Sequence, residues 1–242
     1  MTYCAATILD AGIVFASDSR TNAGVDNIST FRKLKVFEKP GDRVVVTLCS
    51  GNLAVTQATL NLLDQHIRHE DGSPNLMNVR SMYEVADLVG IALREVRRRD
   101  GPYLQQSNVD SSASFIVGGQ IAGEEDRLFM VYSEGNFIEA MPETPYFQIG
   151  EVKYGKPILD RVITPATSLD DAVKCVLVSF DSTMKSNLTV GPPIDLLCYE
   201  RESLRVTKIH RFDASDPYMS SLRQQWSDGL KRAFAQLPDI AW

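Results

Sequence analysis

The second residue of the chain carries the groups best suited to covalent catalysis. Thr2 follows Met1 at the start of a strand-like segment. Once Met1 is removed, Thr2 owns both a nucleophile, its Oγ1 hydroxyl, and a base, its free α-amine. An α-amine with an ordinary pKa of about 7.7–8.0 accepts a proton near neutral pH. A Met-Thr junction is of the kind that methionine aminopeptidases process, because the second residue is small. Thr2 is also consistent with being merely a small second residue.

Charged residues further along the chain supply the neighbours that an activated threonine needs. A strand-like segment ends with Asp18 and Arg20, and Lys33 and Lys35 follow a loop rich in Asn, Ser and Thr. A lysine ammonium beside a hydroxyl lowers the pKa of the hydroxyl, and an aspartate holds that lysine charged and oriented. The spacing therefore predicts an acid–lysine pair near Thr2.

A candidate oxyanion donor follows the strand pattern at residues 43–49. Ser50 and Gly51 lie between that strand and a helical pattern that starts at Asn52. Backbone N–H groups near a helix N-terminus favour developing negative charge. The Gly51 N–H is thus a suitable donor to a tetrahedral intermediate.

Signatures of other kinds of site do not occur in the sequence. It contains no G-x-x-x-x-G-K-[ST], G-x-S-x-G or H-E-x-x-H motif, which disfavours P-loop nucleotide binding and the usual serine and zinc hydrolases. The four cysteines show no C-x-x-C spacing and the three histidines do not cluster with them, which argues against zinc ribbons and thioredoxin-like sites. No metal ion or organic cofactor is implied, and the chemistry of Thr2 requires none.

Length and charge restrict the partners of the protein. The chain has 242 residues and a formal net charge of −6, which is ample length for a hydrophobic core and gives no general attraction to nucleic acid or anionic membranes. It shows no basic signal region at its start and no apolar run long enough to span a bilayer. The cysteines lie among apolar neighbours, as buried thiols do in reducing compartments. We expect a soluble, cytoplasmic protein.

Hydropathy periodicity predicts a strand-rich first part followed by two helices. Strand patterns cover residues 2–9, 13–17, 34–38 and 43–49, which we expect to form one antiparallel opening sheet. A helix from Asn52 and a second helix containing Val85–Val96 should cover one sheet face. The second helix is expected to end with the arginines at 94–99, just before Asp100-Gly101-Pro102.

The second part of the chain returns to strands and ends in a helix. Strands are predicted at residues 114–120, 128–133, 136–140, 146–149, 194–200 and 204–211. Ser168 is a cap for a third long helix, and Asp216-Pro217 begins a last helix whose predicted buried face is Met219, Leu222, Trp226, Leu230 and Phe234. Strand blocks separated from helix pairs indicate an α+β fold in which helices sandwich mainly antiparallel sheets. We expect a single domain over 1–242, in which 215–242 form the C-terminal helix and a tail that either contacts a neighbouring subunit or folds back.

Together these residues resemble a proteasome β-type subunit of the N-terminal nucleophile hydrolase superfamily, specifically the bacterial group called Anbu (ancestral β subunit). The resemblance covers nearly the whole chain. It rests on the Thr2 strand, Phe-Ala-Ser-Asp18-Ser-Arg20 with Thr-Asn-Ala-Gly24, the Lys35-Val36 strand start, and Cys49-Ser50-Gly51. It implies a four-layer αββα sandwich with Thr2 as the nucleophile, Asp18 and Lys35 as its activating pair, and the Gly51 N–H as oxyanion donor.

The chain departs from the family pattern in three places. Between Gly24 and Lys35 it is one residue longer than is typical, which keeps Lys33 as a second candidate for the lysine. Glu151 stands where such subunits place a serine that supports the terminal amine, and a carboxylate there would raise the pKa of the α-amine. Asp181 and Ser186 are candidates for the later supporting residues and are equally consistent with ordinary helix-end residues.

The function implied by the resemblance is a threonine peptidase that cleaves peptide or unfolded protein substrates. It would work in a homo-oligomer, either stacked rings or a helical array. Two alternatives stay open, an amidase acting on small amide or γ-glutamyl compounds and a non-enzymatic assembly scaffold. The chain carries no ATPase motif, so an unfoldase that serves the particle would be a separate protein.

Overall fold

Antiparallel sheets form the frame of the molecule. The computed structural model describes residues 1–23, 27–69 and 72–242; Gly24, one of the resemblance residues, lies outside them. The strands are β1 (Tyr3–Leu9), β2 (Gly12–Asp18), β3 (Arg20–Ala23), β4 (Asn27–Thr30), β5 (Leu34–Lys39), β6 (Arg43–Gly51), β7 (Ala113–Ile121), β8 (Arg127–Val131), β9 (Phe137–Glu139), β10 (Tyr146–Gly150), β11 (Ile194–Glu200) and β12 (Lys208–Phe212). The first sheet has the order β10-β1-β2-β11-β12 and the second β5-β6-β7-β8-β9, while β3 and β4 form a separate hairpin.

Helices cover the outer faces of both sheets. They are α1 (Leu53–Arg68), α2 (Met82–Gln106), α3 (Lys156–Val162), α4 (Leu169–Ser186) and α5 (Pro217–Ala235). Helices α1 and α2 share one apolar core with the second sheet, and α3 and α4 share another with the first sheet. A third core, which includes Phe15 and Leu48, lies between the sheets. The expected α+β fold with four αββα layers is therefore confirmed.

The strands of the first part divide between two sheets. The expectation of one opening sheet is wrong, because β1 and β2 belong to one sheet and β5 and β6 to the other. Every residue of β2, and all but one of β1, is buried. Strands that are apolar on both faces are stable only when another layer packs on each face. The β5–β6 hairpin therefore packs on one face of β1 and β2 as part of a second sheet, instead of extending their sheet.

Helix α2 does not end at its arginine cluster. It continues through Gly101 and Pro102 to Gln106. Arg94 donates a hydrogen bond of 2.7 Å to the carbonyl of Gly135, and Arg97 donates to the carbonyl of Ser133. These arginines thus attach α2 to the β8–β9 turn instead of capping the helix.

The capping predictions hold for the later helices, while other details differ. Ser168 accepts from Asp171 N at the start of α4, and Asp216 accepts from Tyr218 N at the start of α5. The hairpin of β3 and β4 and the short helix α3 were not expected, and β12 starts only at Lys208.

The apolar stripe of α5 is only partly covered. Met219 is buried, whereas Leu230 and Phe234 are exposed, so the predicted buried face is wrong for the second half of the helix. The tail does not fold back, since Leu237, Ile240 and Trp242 are also exposed. All four cysteines are buried free thiols. Across the described ranges, no helix is long and apolar enough to cross a membrane.

Candidate active site

A buried ion pair links the end of β2 to the residue that precedes β5. Lys33 Nζ lies 2.6 Å from Asp18 Oδ1 and donates a second hydrogen bond of 2.7 Å to the carbonyl of Arg20. The side chain of Lys33 is 5% exposed and that of Asp18 is fully buried. Burial raises the pKa of the Asp18 carboxyl, and the neighbouring Lys33 ammonium opposes that rise. The pair fixes the ammonium group in one position.

Lys35 lies outside this pair. Its ammonium binds Asp64 on α1 and stands 4.8 Å from the centre of the Phe37 ring. Lys35 lies within β5, which begins at Leu34, and its side chain points toward α1. Lys33 precedes the strand, and its side chain points toward Asp18 of β2. The expectation that Lys35 pairs with Asp18 is wrong, and the second candidate, Lys33, takes that position.

The backbone around Thr2 is tied to the same ion pair. Tyr3 N donates to Asp18 Oδ1 at 3.0 Å, so one carboxylate oxygen receives both the Lys33 ammonium and the amide that follows Thr2. The Thr2 carbonyl accepts a hydrogen bond of 2.7 Å from Glu151 N. Thr2 therefore sits beside the ion pair.

Burial and the charges of these residues shift the pKa of the α-amine at the chain start. The pKa of the Met1 amine is lowered from 8.0, first by burial and then by Lys33, while Asp18 and Glu151 act in the opposite direction. A lower pKa makes the neutral, proton-accepting amine available at a lower pH.

Gly150 allows the end of β10 to pack directly against the backbone of Thr2. Its φ is +87°, and a Cβ at this position would lie 2.0 Å from the Thr2 carbonyl oxygen and 3.1 Å from Ser50 Oγ. The end of β6, the end of β10 and the backbone of Thr2 thus meet at one point. Only glycine combines this backbone conformation with so close an approach.

Gly51 borders a cleft at the same point. The cleft has a volume of about 310 Å³, and Ser50, Gly51, Tyr132 and Gly150 are among its lining residues. Gly51 is exposed, and the next residue, Asn52, caps α1 by accepting from Val55 N at 3.2 Å. The backbone of Gly51 therefore precedes a helix N-terminus at the edge of an open cleft.

Glu151 places a carboxylate next to the chain start. Its side chain is 6% exposed, and its Oε1 lies 3.8 Å from Lys153 Nζ. Asn187 Nδ2 donates to Glu151 Oε2 at 3.0 Å. The segment Lys185-Ser186-Asn187 was a candidate from its sequence, with Ser186 as the chosen residue, but the contact with Glu151 belongs to its neighbour Asn187.

Known proteins are similar to this chain in both sequence and fold. The family model described as proteasome subunit matches residues 2–197. Anbu (ancestral beta-subunit) from Yersinia bercovieri is 50% identical, with a TM-score of 0.93 and 100% of both chains covered. The helical assembly of the Anbu complex from Pseudomonas aeruginosa is 51% identical, with a TM-score of 0.94 over 99% of this chain and 98% of that chain. The chain belongs to the Anbu group of the proteasome subunit family.

Another solved Anbu structure is similar to this chain over its full length. The Gly-1 mutant of Anbu from Hyphomicrobium sp. strain MC1 is 48% identical, with a TM-score of 0.94 and 100% of both chains covered. A search among curated proteins gave no match. The similarity to other Anbu proteins thus extends over the whole chain and includes its C-terminal helix.

Of the three remaining predicted residues, one lies at the site of this Anbu chain. Arg20 provides the carbonyl that binds Lys33, and its guanidinium donates to the carbonyl of Leu188 at 2.7 Å. Asp181 instead binds Arg223 of α5 at 2.6 Å and joins two helices. Ser186 is the exposed last residue of α4. The structure therefore brings Arg20 to the ion pair and places Asp181 in a helix–helix contact.

Proposed function

We propose that this chain is a threonine peptidase that hydrolyses peptide bonds through Thr2 after removal of Met1. The observation that carries the proposal is the shared oxygen of Asp18, which receives both the Lys33 ammonium and the Tyr3 amide next to Thr2. This contact brings a fixed positive charge beside the residue that owns the hydroxyl and the amine.

The reaction needs only groups of this site. Thr2 Oγ1 attacks the substrate carbonyl carbon while its proton passes to the Thr2 α-amine, and the Gly51 N–H donates to the oxyanion. The amine then gives this proton to the leaving nitrogen as the C–N bond breaks, which leaves an ester on Thr2. Water, deprotonated by the same amine, attacks the ester carbonyl carbon. The bond from that carbon to Oγ1 breaks, the amine returns the proton to Oγ1, and the acid is released.

The buried ion pair supports this proton transfer electrostatically. The Lys33 ammonium lowers the pKa of a neighbouring hydroxyl, and the Asp18 carboxylate keeps the lysine charged and in place. Lys33 also lowers the pKa of the Met1 amine at the chain start. Once Met1 is removed, the same ammonium would act on the Thr2 α-amine and favour its neutral, proton-accepting form. Asp18 and Lys33 are thus the proposed activating pair, with Lys33 in place of Lys35.

A second cleft offers room for a substrate side chain. It has a volume of about 610 Å³ and lies between β5 and α1, where Phe31, Arg32, Lys35 and Gln57 contribute to its walls. Arg32 directly precedes Lys33, so the cleft begins next to the ion pair. A volume of this order accommodates a ligand much larger than a simple amide, which favours a peptide over a small amide substrate.

Self-assembly is part of the proposed function. The solved relative from P. aeruginosa is described as a helical assembly. The two chains share one fold, with a TM-score of 0.94 and 51% identity over nearly the whole chain. We therefore favour a helical array over stacked rings for this chain.

The decisive experiment is the intact mass of the purified protein after reaction with a peptide electrophile that must capture both a hydroxyl and a free amine on one residue. The expected result is loss of Met1 together with one adduct per chain. The Thr2→Ala variant should lose Met1 as well but gain no adduct. A chain that retains Met1, or that is processed and never reacts, would contradict the peptidase and favour the scaffold.

Glu151 should set the lower pH limit of activity. Its negative charge acts to raise the pKa of the Met1 amine, and we expect the same effect on the Thr2 α-amine once Met1 is removed. Glu151→Gln should therefore lower the pKa of the Thr2 amine and extend activity to lower pH by about one pH unit. Glutamine retains an oxygen that can accept the Asn187 hydrogen bond, which keeps the packing unchanged.

The measurement is the pH dependence of electrophile capture, with Glu143→Gln as the matched control. Glu143 is exposed and lies before the far end of β10, away from Gly150. An unchanged acid limb in Glu151→Gln would show that Glu151 does not act on the base.

A further inference from the structure

One arginine beside the proposed activating lysine has no acidic partner. Arg32 directly precedes Lys33, is exposed, and lines the cleft of about 610 Å³ between β5 and α1. Among the residues that the structure describes, Arg32 forms no salt bridge and donates no hydrogen bond through its guanidinium. A guanidinium with unused N–H donors binds carboxylates well, because its planar fork matches the two carboxylate oxygens.

The other charged groups at this cleft are paired with each other or with neighbours. Asp195 is 6% exposed, and its Oδ1 accepts a hydrogen bond of 2.7 Å from Arg211. Lys35, the second cation in the cleft wall, binds Asp64. Since these two ion pairs are each close to neutral, the charge of Arg32 is left without compensation. The cleft therefore attracts an anionic side chain.

The α1 wall of the cleft supplies neutral hydrogen-bond donors. Gln57 and Asn61 both line the cleft, and their spacing of four residues places them on one face of α1. The NH₂ group of each carboxamide can donate to a carboxylate. Leu34, Val36 and Leu60 line other parts of the cleft with apolar groups. The cleft thus matches a side chain that has an apolar stem and a carboxylate at its end.

We propose that Arg32 makes the peptidase selective for an acidic side chain, glutamate or aspartate, in the residue whose carbonyl is attacked. This inference rests on the proposed function, since the cleft sets specificity only if Thr2 cleaves peptides. Arg32 and Leu34 flank Lys33 in the chain, and the Lys33–Asp18 pair adjoins the backbone of Thr2. The cleft therefore begins next to the reacting carbonyl, and the side chain of the residue that carries this carbonyl reaches it first. A basic side chain would meet Arg32 as a like charge and be disfavoured.

The test compares two peptide electrophiles that are identical except for glutamate or glutamine in the residue with the reactive carbonyl. Glutamine has nearly the same shape without the charge, so the ratio of the two adduct rates isolates the contribution of the carboxylate. In the wild-type protein the glutamate electrophile should react about tenfold faster, as expected for a partly exposed charge-assisted hydrogen bond. Arg32→Gln should bring this ratio close to one. Arg32→Glu should favour an otherwise identical lysine electrophile over the glutamate one.

Arg98→Gln is the matched control, because it removes the same charge at a distance from the cleft. Arg98 is exposed on α2 and lines a different cleft, so this variant should keep the tenfold ratio. If Arg32→Gln merely disturbed Lys33, both electrophiles would react more slowly and their ratio would not change. An unchanged ratio in Arg32→Gln, or a ratio near one in the wild-type protein, would overturn the selectivity.

Peptide binding to Thr2→Ala separates this inference from the peptidase proposal. The variant lacks the nucleophile but keeps the cleft, so unreactive peptides that differ only in glutamate or glutamine can be titrated into it by calorimetry. If the wild-type protein formed no adduct, the peptidase would be wrong, and acid recognition would stand only if the glutamate peptide bound about tenfold tighter and Arg32→Gln abolished the difference. Adducts that form at equal rates with both electrophiles would overturn the selectivity alone and leave the peptidase intact.

Discussion

Lys33→Met is expected to reduce electrophile capture and peptide hydrolysis by roughly 10²- to 10⁴-fold, the range for loss of a group that assists proton transfer. The reason is the position of Lys33, whose ammonium is 2.6 Å from Asp18 and adjacent to the backbone of Thr2. Lys35→Met should change the rate by less than about fivefold, because the partly exposed Lys35–Asp64 pair is worth at most about 1 kcal/mol. The measurement is the rate of adduct formation for both variants under identical conditions.

A stability control accompanies the lysine comparison. Lys33→Met leaves the Asp18 carboxylate buried without its counterion, which should cost about 3–5 kcal/mol of the free energy of unfolding. Adding Asp18→Asn removes the buried charge and should restore much of that stability without restoring activity. Denaturant unfolding of the single and double variants tests this. If Lys33→Met formed the adduct at the wild-type rate, or if Lys35→Met formed it slowly at normal stability, the activating role would belong to Lys35.

Gly150→Ala is expected to displace the chain start and to reduce activity by at least about 10²-fold, since a misplacement of about 1 Å at a catalytic group has an effect of this size. The added Cβ would lie 2.0 Å from the Thr2 carbonyl oxygen, so either Thr2 or the end of β10 must move. The variant should also unfold more easily, because left-handed backbone costs a non-glycine residue roughly 1–2 kcal/mol before any collision.

Gly41→Ala is the matched control for this substitution. Gly41 has a similar φ of +77°, but no atom lies within 4 Å of the added Cβ. It should therefore show the backbone cost alone and full activity. Comparing adduct rates and unfolding midpoints of the two variants isolates the contact with Thr2. Equal behaviour of both proteins would show that Gly150 does not position the nucleophile.

The sequence alone was enough to propose the chemistry and to predict much of the local structure. Thr2, Asp18 and Gly51 are proposed site residues because of what a terminal threonine needs and because of their places at strand ends. The caps Ser168 and Asp216 start their helices as predicted, because capping depends on residues only three positions apart. The strands β1, β2 and β11 could be predicted within about a residue, since their apolar runs are bounded by turn residues.

Tertiary structure decided the choice between the two lysines. Lys33 and Lys35 are two residues apart, so a strand pattern places them on the same face and cannot distinguish them. The start of β5 at Leu34 and the position of Asp64 on α1 separate them in space. The contact of Asn187 with Glu151 spans 36 residues, and no local pattern encodes it.

The arrangement of the layers also needed long-range contacts. The two hairpins of the first part look alike in sequence, but each joins strands from much later in the chain, β10 and β11 in one sheet and β7 in the other. The apolar stripe of α5 likewise predicts that this face packs against something, but the sequence pattern does not identify the surface that it contacts. Local patterns record which face of an element avoids water, whereas the three-dimensional packing determines what that face meets.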